Sequence, residues 1–170
     1  MAHSEAESPA APPAPNGIVG LARAIALAGG LLTLGIAILV TASIIGRRVW
    51  GEPVPGDFEF VQMATAVTLF AFLPLCQSHR GNIAVDTFTG WLPRSWQRGL
   101  DAAWDLTYAA FMAVISFGLF RAALEARGYG TTTMVLGLPI WPAMTISALL
   151  CAVVALVALM TMSRLIRDKT

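Results

Sequence analysis

"AIALAGGLLTLGIAILVTASIIG", residues 24–46, is a run of 23 residues without a charge, set between Arg23 and Arg47. As an α-helix rising 1.5 Å per residue it is about 35 Å long, enough to cross the roughly 30 Å hydrocarbon core of a bilayer. Three further runs share this character. Residues 60–76 lie between Glu59 and His79, and Gln77 and Ser78 extend them toward the headgroups. Residues 106–120 are short, but a start near Ala102 lengthens that run and puts Asp105 in its first turn. Residues 141–162 are uncharged up to Arg164, with Pro139 and Pro142 at the start, where a missing N–H costs least.

The expected architecture is all-α: an integral membrane protein of four transmembrane helices over about 22–46, 59–78, 102–121 and 140–163. Composition agrees. Of 170 residues, 56% are hydrophobic and 12% charged. A soluble domain of that size could not bury so much apolar surface. The net charge of +1, with no basic run, gives no reason to expect nucleic acid. Cys76 and Cys151 both lie inside apolar runs, where they act as small hydrophobes and not as a disulfide framework.

"MAHSEAESPAAPPAPNGI", residues 1–18, is rich in Pro, Ala and Ser, with two glutamates. It reads as a disordered tail. It lacks the basic n-region of a secretory signal, and the apolar run after it is too long.

The tryptophans mark the edges. Trp50 follows the first span, Trp104 opens the third, Trp141 opens the fourth, and Trp91 and Trp96 lie between the second and third. Indole rings favour the headgroup zone, so this is an aromatic belt. An inside N-terminus puts Arg23, Arg80, Arg94, Arg98, Arg164, Arg167 and Lys169 in the cytoplasm and leaves Arg47, Arg48, Arg121 and Arg127 outside. Seven against four places both termini inside.

"QSHRGNIAVD", residues 77–86, concentrates polar groups between the second and third spans. A hydrolase reading would combine Ser78, His79 and Asp86. Ser78 and His79 are neighbours whose side chains diverge, and no glycine pattern surrounds the serine. A metal or haem site needs more ligands than His79 and His3 supply. No catalytic, cofactor-binding or metal-binding residue is therefore expected. On a helix, Val85, Phe88, Trp91 and Leu92 fall on one side and Asn82, Asp86 and Thr89 on the other. A short amphipathic helix of this kind lies in the interface plane, and Pro93 ends it and opens the next. His79, Arg80, Asp86 and Trp91 then meet headgroups or a partner.

The loop "RRVWGEPVPGDFEF", residues 47–60, carries Arg47, Arg48, Asp57 and Glu59. These are either solvated boundary charges or a docking surface for a partner. Asp57 and Glu59 suit the start of a helix, as do Asp101 and Asp105 in the third. Gln62 is the strongly polar side chain inside a span and is expected to bond another helix. Ala22, Ala26 and Gly30, and Ala148 and Ala152, form small-residue stripes for close helix packing, within the chain or against another subunit. No span has a charged residue at its midplane, which argues against a self-sufficient carrier.

These pieces have an order: "RR" closing the first span, "GDFEF" opening the second, "H…NIAVD" after it, then "LP" and a basic approach to the third. That order resembles the small membrane subunit (DctQ-type) of tripartite ATP-independent periplasmic (TRAP) transporters. The layout is shared over residues 21–167, and the motifs over 47–100. The resemblance implies a scaffold subunit in the bacterial inner membrane. Its partners would be a large multi-span permease subunit, a periplasmic substrate-binding protein and membrane lipids. The activity would be sodium-coupled uptake of an organic acid, by symport. The headgroup-level arm would be residues 82–91 and the outer docking loop 47–59. Two other readings stay open: the membrane anchor of a haem-free enzyme complex, and the small subunit of another binding-protein-dependent carboxylate transporter.

Overall fold

A computed structural model describes residues 16–78 and 94–167, and within them the side chains of 17–78 and 99–163. Four helices account for nearly all of it. They are α1 (Asn16–Trp50), α2 (Asp57–Ser78), α3 (Arg94–Gly128) and α4 (Trp141–Arg167). Each contains a stretch long and apolar enough to cross a membrane. The four-span expectation holds in number and order, and the chain is a multi-pass membrane protein.

The ends differ from the expected ones. α1 begins at Asn16, so residues 16–18 of the expected tail are helical. α3 begins at Arg94, directly after Pro93, and runs to Gly128, well past the expected 102–121. Asp101 and Asp105 therefore sit about two and three turns into α3, and its first turn holds no acid. The interfacial helix expected over residues 82–91 lies outside the described residues.

Local chemistry explains where helices stop. Arg47 and Arg48 in the last turn of α1 complement its dipole. Gly51, at φ +83°, then turns the chain in the left-handed region, its N–H bonding Arg47 O at 3.1 Å. Pro53 and Pro55 keep the helix from resuming. α3 ends in a Schellman turn. Gly130 (φ +62°) donates to Arg127 O at 3.3 Å, and Thr131 donates to Ala126 O at 2.9 Å. Pro74 lies inside α2 and is buried, yet the helix continues to Ser78.

Packing runs in the order α1, α2, α4, α3. α2, α3 and α4 share a core of Met112, Val154 and Ala155, with Leu73, Tyr108 and Ile115 against it. Ala148, Cys151, Ala155 and Ala158 give α4 a face of small buried residues. It lets α3 approach closely enough for Ser116 Oγ to donate to Ala148 O at 2.8 Å. The two cysteines form no disulfide.

α1 lies outside this group and packs on α2 alone to any extent. Its contact face is Ala22, Ala26 and Gly29. The stripe expected at Gly30 is thus one residue out. A Cβ on Gly29 would fall 2.9 Å from Ala71 Cβ, whereas one on Gly30 would meet open space. Gln62 is exposed, and among the described residues it bonds no other helix. The interhelical amide is Gln77, 1% exposed, whose Nε2 donates to Asp105 Oδ1 at 3.1 Å. Within this chain Gln62 meets no such partner, because its position on α2 faces away from the other described helices.

Candidate functional site

At one end of the helices the α1–α2 loop, residues 51–56, meets the α3–α4 loop, residues 129–140. The second loop is a small hairpin. Thr132 and Pro139 form an antiparallel bridge, and Thr133 N–H donates to Leu138 O at 2.9 Å. Thr133 Oγ1 accepts the Leu138 N–H at 2.9 Å, and Gly137 supplies a left-handed φ of +64°. At its base Arg127 lies over the Trp141 ring, 5.2 Å from the centroid, a cation–π contact that ties the end of α3 to the start of α4.

Glu59 fastens this hairpin to α2. Its carboxylate is buried and accepts the backbone N–H groups of Val135 and Leu136. Two successive amides aimed at one anion form a small nest, which suits a charged acceptor. The anion also stands in the first turn of α2, where the helix dipole favours it. Beside it Gly56, at φ +72°, lets the hairpin come down. A Cβ there would fall 2.2 Å from Leu136 Cδ1.

Asp57 performs a second fastening, on α1. Ser43 Oγ donates to Asp57 Oδ2 and accepts Val54 N–H at 3.2 Å. Asp57 Oδ1 accepts Phe58 N–H at 2.7 Å. One hydroxyl near the end of α1 thus orders both the loop and the first turn of α2.

The expected site residues therefore separate. Asp57 and Glu59 come together, but their carboxylates point into the protein. Arg47 and Arg48 are exposed at the same end. His79, Arg80, Asp86 and Trp91 lie outside the described residues. Trp50, Phe58, Tyr129, Met134 and Val135 stand exposed around the fastening. This apolar rim over a hydrogen-bonded base forms a platform at this end of the helices. Among the described residues no three His, Cys, Asp or Glu side chains group to hold a metal.

Ser43 and the hairpin were not picked out from the sequence, and Gly56 entered only as the first residue of "GDFEF". Signals for them exist in hindsight. Ser43 is a hydroxyl one turn before the end of an apolar run, and "GTTTMVLGLP" sets glycines at both ends of a short loop.

A family model described as tripartite ATP-independent periplasmic transporters, DctQ component, matches residues 36–168 of this chain. No curated protein and no solved structure matches it.

Proposed function

Because the chain belongs to the family of DctQ components of tripartite ATP-independent periplasmic transporters, we propose that it is the scaffold subunit of such a transporter. It holds a large permease subunit in the bacterial inner membrane. The permease carries the substrate and sodium, and a periplasmic protein delivers an organic acid. Among the readings left open by the residues, membership favours a transporter component over an enzyme anchor.

The observation that carries the scaffold reading is the open packing of four uninterrupted apolar helices. Only 11% of the most apolar window of α1 is buried, against 39% for α4. Broad helix faces are thus left for lipid or a large neighbour. No Asp, Glu, Lys, Arg or His lies at mid-depth in any span. α1 contributes outer face, and α4 holds the rest together.

Both termini are cytoplasmic in this reading, on the seven-to-four balance of basic residues. The platform then faces the periplasm. Arg47, Arg48 and the exposed hairpin are its contact surface, and Asp57 and Glu59 hold that surface in shape. On the other side His79, Arg80, Asp86 and Trp91 meet headgroups or the permease.

The test is sodium-driven uptake of organic acids into vesicles. The chain alone is expected to give none, and the permease with the chain and the binding protein to give uptake. Robust uptake by the chain alone overturns the scaffold reading. Reporter fusions after Thr170 and within residues 51–56 are expected to give opposite signals, and equal signals would overturn the orientation.

A further inference from the structure

A groove runs between α1 and α2. Leu27 and Leu31 of α1 and Phe72 and Leu75 of α2 line it. Gly30 is also part of the lining, and a Cβ there would meet only open space. The absent side chain leaves a slot. Leu27, Leu31 and Phe72 remain 64%, 71% and 41% exposed, so no other part of the described chain covers it. One end differs from the rest: there the exposed guanidinium of Arg23 closes an otherwise apolar lining. Among the described residues no carboxylate pairs with it.

The dimensions indicate what fits. Arg23 is the last charge before the uncharged run, so it stands at the hydrocarbon boundary, at headgroup level. From Arg23 to Leu31 is about 12 Å along the helix. One leaflet of hydrocarbon is about 15 Å deep. The groove therefore begins at a cation in the headgroup layer and ends within the same leaflet. An acyl chain lying along the slot would bring its headgroup phosphate to a planar donor suited to it.

We propose that the α1–α2 groove binds one acyl chain of an anionic phospholipid, whose phosphate pairs with Arg23. On the orientation argued above this lipid comes from the cytoplasmic leaflet, where anionic lipids attract basic residues near the surface. Bound there, the lipid fills the open side of the seam between α1 and α2 and strengthens the attachment of the outermost helix.

The proposal is tested with the purified full chain in micelles containing phosphatidylglycerol or phosphatidylcholine, with retained lipid read by native mass spectrometry. The wild-type chain is expected to prefer phosphatidylglycerol roughly fivefold, the scale of one basic group at an anionic surface. Arg23→Gln is expected to bring the two lipids to parity, while Arg23→Lys keeps most of the preference. Gly30→Leu is expected to lower retention of both lipids by filling the slot. No preference in the wild type, a preference that survives Arg23→Gln, or unchanged retention in Gly30→Leu overturns the proposal. A photo-crosslinker at position 27 in the assembled transporter is expected to capture lipid, and capture of a protein subunit overturns it. Because Arg23→Gln and Gly30→Leu read charge and space separately, misfolding of one variant leaves the other decisive.

Discussion

The four helices are joined in two ways, and the joints differ in kind. Along the helices, small residues let backbones and methyl groups meet, as at Gly29 against Ala71 and Ser116 against Ala148. At the platform end, two carboxylates and a hydroxyl tie loops to helices through Glu59, Asp57 and Ser43. In a bilayer the first joint gains nothing from the hydrophobic effect, because lipid tails are as apolar as the partner helix. It depends on close fit. The second depends on geometry at a few atoms, and it sets the shape of the surface turned toward water.

Five substitutions, one of them a control, probe this contrast. Gly56→Val is expected to have the largest effect. It forces a β-branched residue into a left-handed conformation, which costs about 1–3 kcal/mol, and it also displaces Leu136. The melting temperature of the purified chain should fall, and the amides of Val135 and Leu136 should exchange faster. Unchanged melting would mean that the hairpin does not rest on Gly56.

Gly29→Leu attacks the other joint and is expected to cost about 1–3 kcal/mol by overpacking against Ala71 and Phe72. Gly35→Ala is its control, because a Cβ there meets nothing. The control should be neutral or slightly stabilising, by up to about 1 kcal/mol, since glycine weakens a helix interior. Equal melting temperatures for the two variants would remove the seam between α1 and α2.

Glu59→Gln is expected to act locally. The amide keeps one acceptor oxygen for two N–H donors and loses the charge that strengthens both bonds. Hydrogen exchange should quicken at Val135 and Leu136 while the middle of α3 and α4 keeps its protection. Loss of protection throughout α4 would show that the platform, and not the helix seams, holds the chain together. Ser116→Ala should be the mildest. Interhelical hydrogen bonds in membranes average about 0.6 kcal/mol, so a small fall in melting temperature is expected. A fall as large as that for Gly29→Leu would make the α3–α4 seam polar in character.

How the carboxylates were read shows where sequence reasoning stops. Charge at a helix start is a local property, so the placement of Asp57 and Glu59 in the first turn of α2 was visible in "GDFEF". Their partners were not visible. Val135 and Leu136 lie 76 and 77 residues from Glu59, and Ser43 lies 14 from Asp57. Distance in sequence carries no pairing signal. The readings of partner docking or solvated charge therefore could not be narrowed to an internal fastening.

What the sequence determined by itself was the part governed by the bilayer. Uncharged runs of spanning length, tryptophans and prolines at their edges, and basic residues between them set four helices and their order, because lipid penalises each charge or open backbone group without regard to the rest of the fold. The helix faces were a different matter. That Gly29 and not Gly30 meets α2, that Gln77 and not Gln62 reaches another helix, and that α4 is central while α1 is peripheral were decided only by the tertiary structure. Apolar residues surround each span on every side, so periodicity does not mark an inward face. The facing is chosen by close fit between distant segments, and that fit exists only once the helices are side by side.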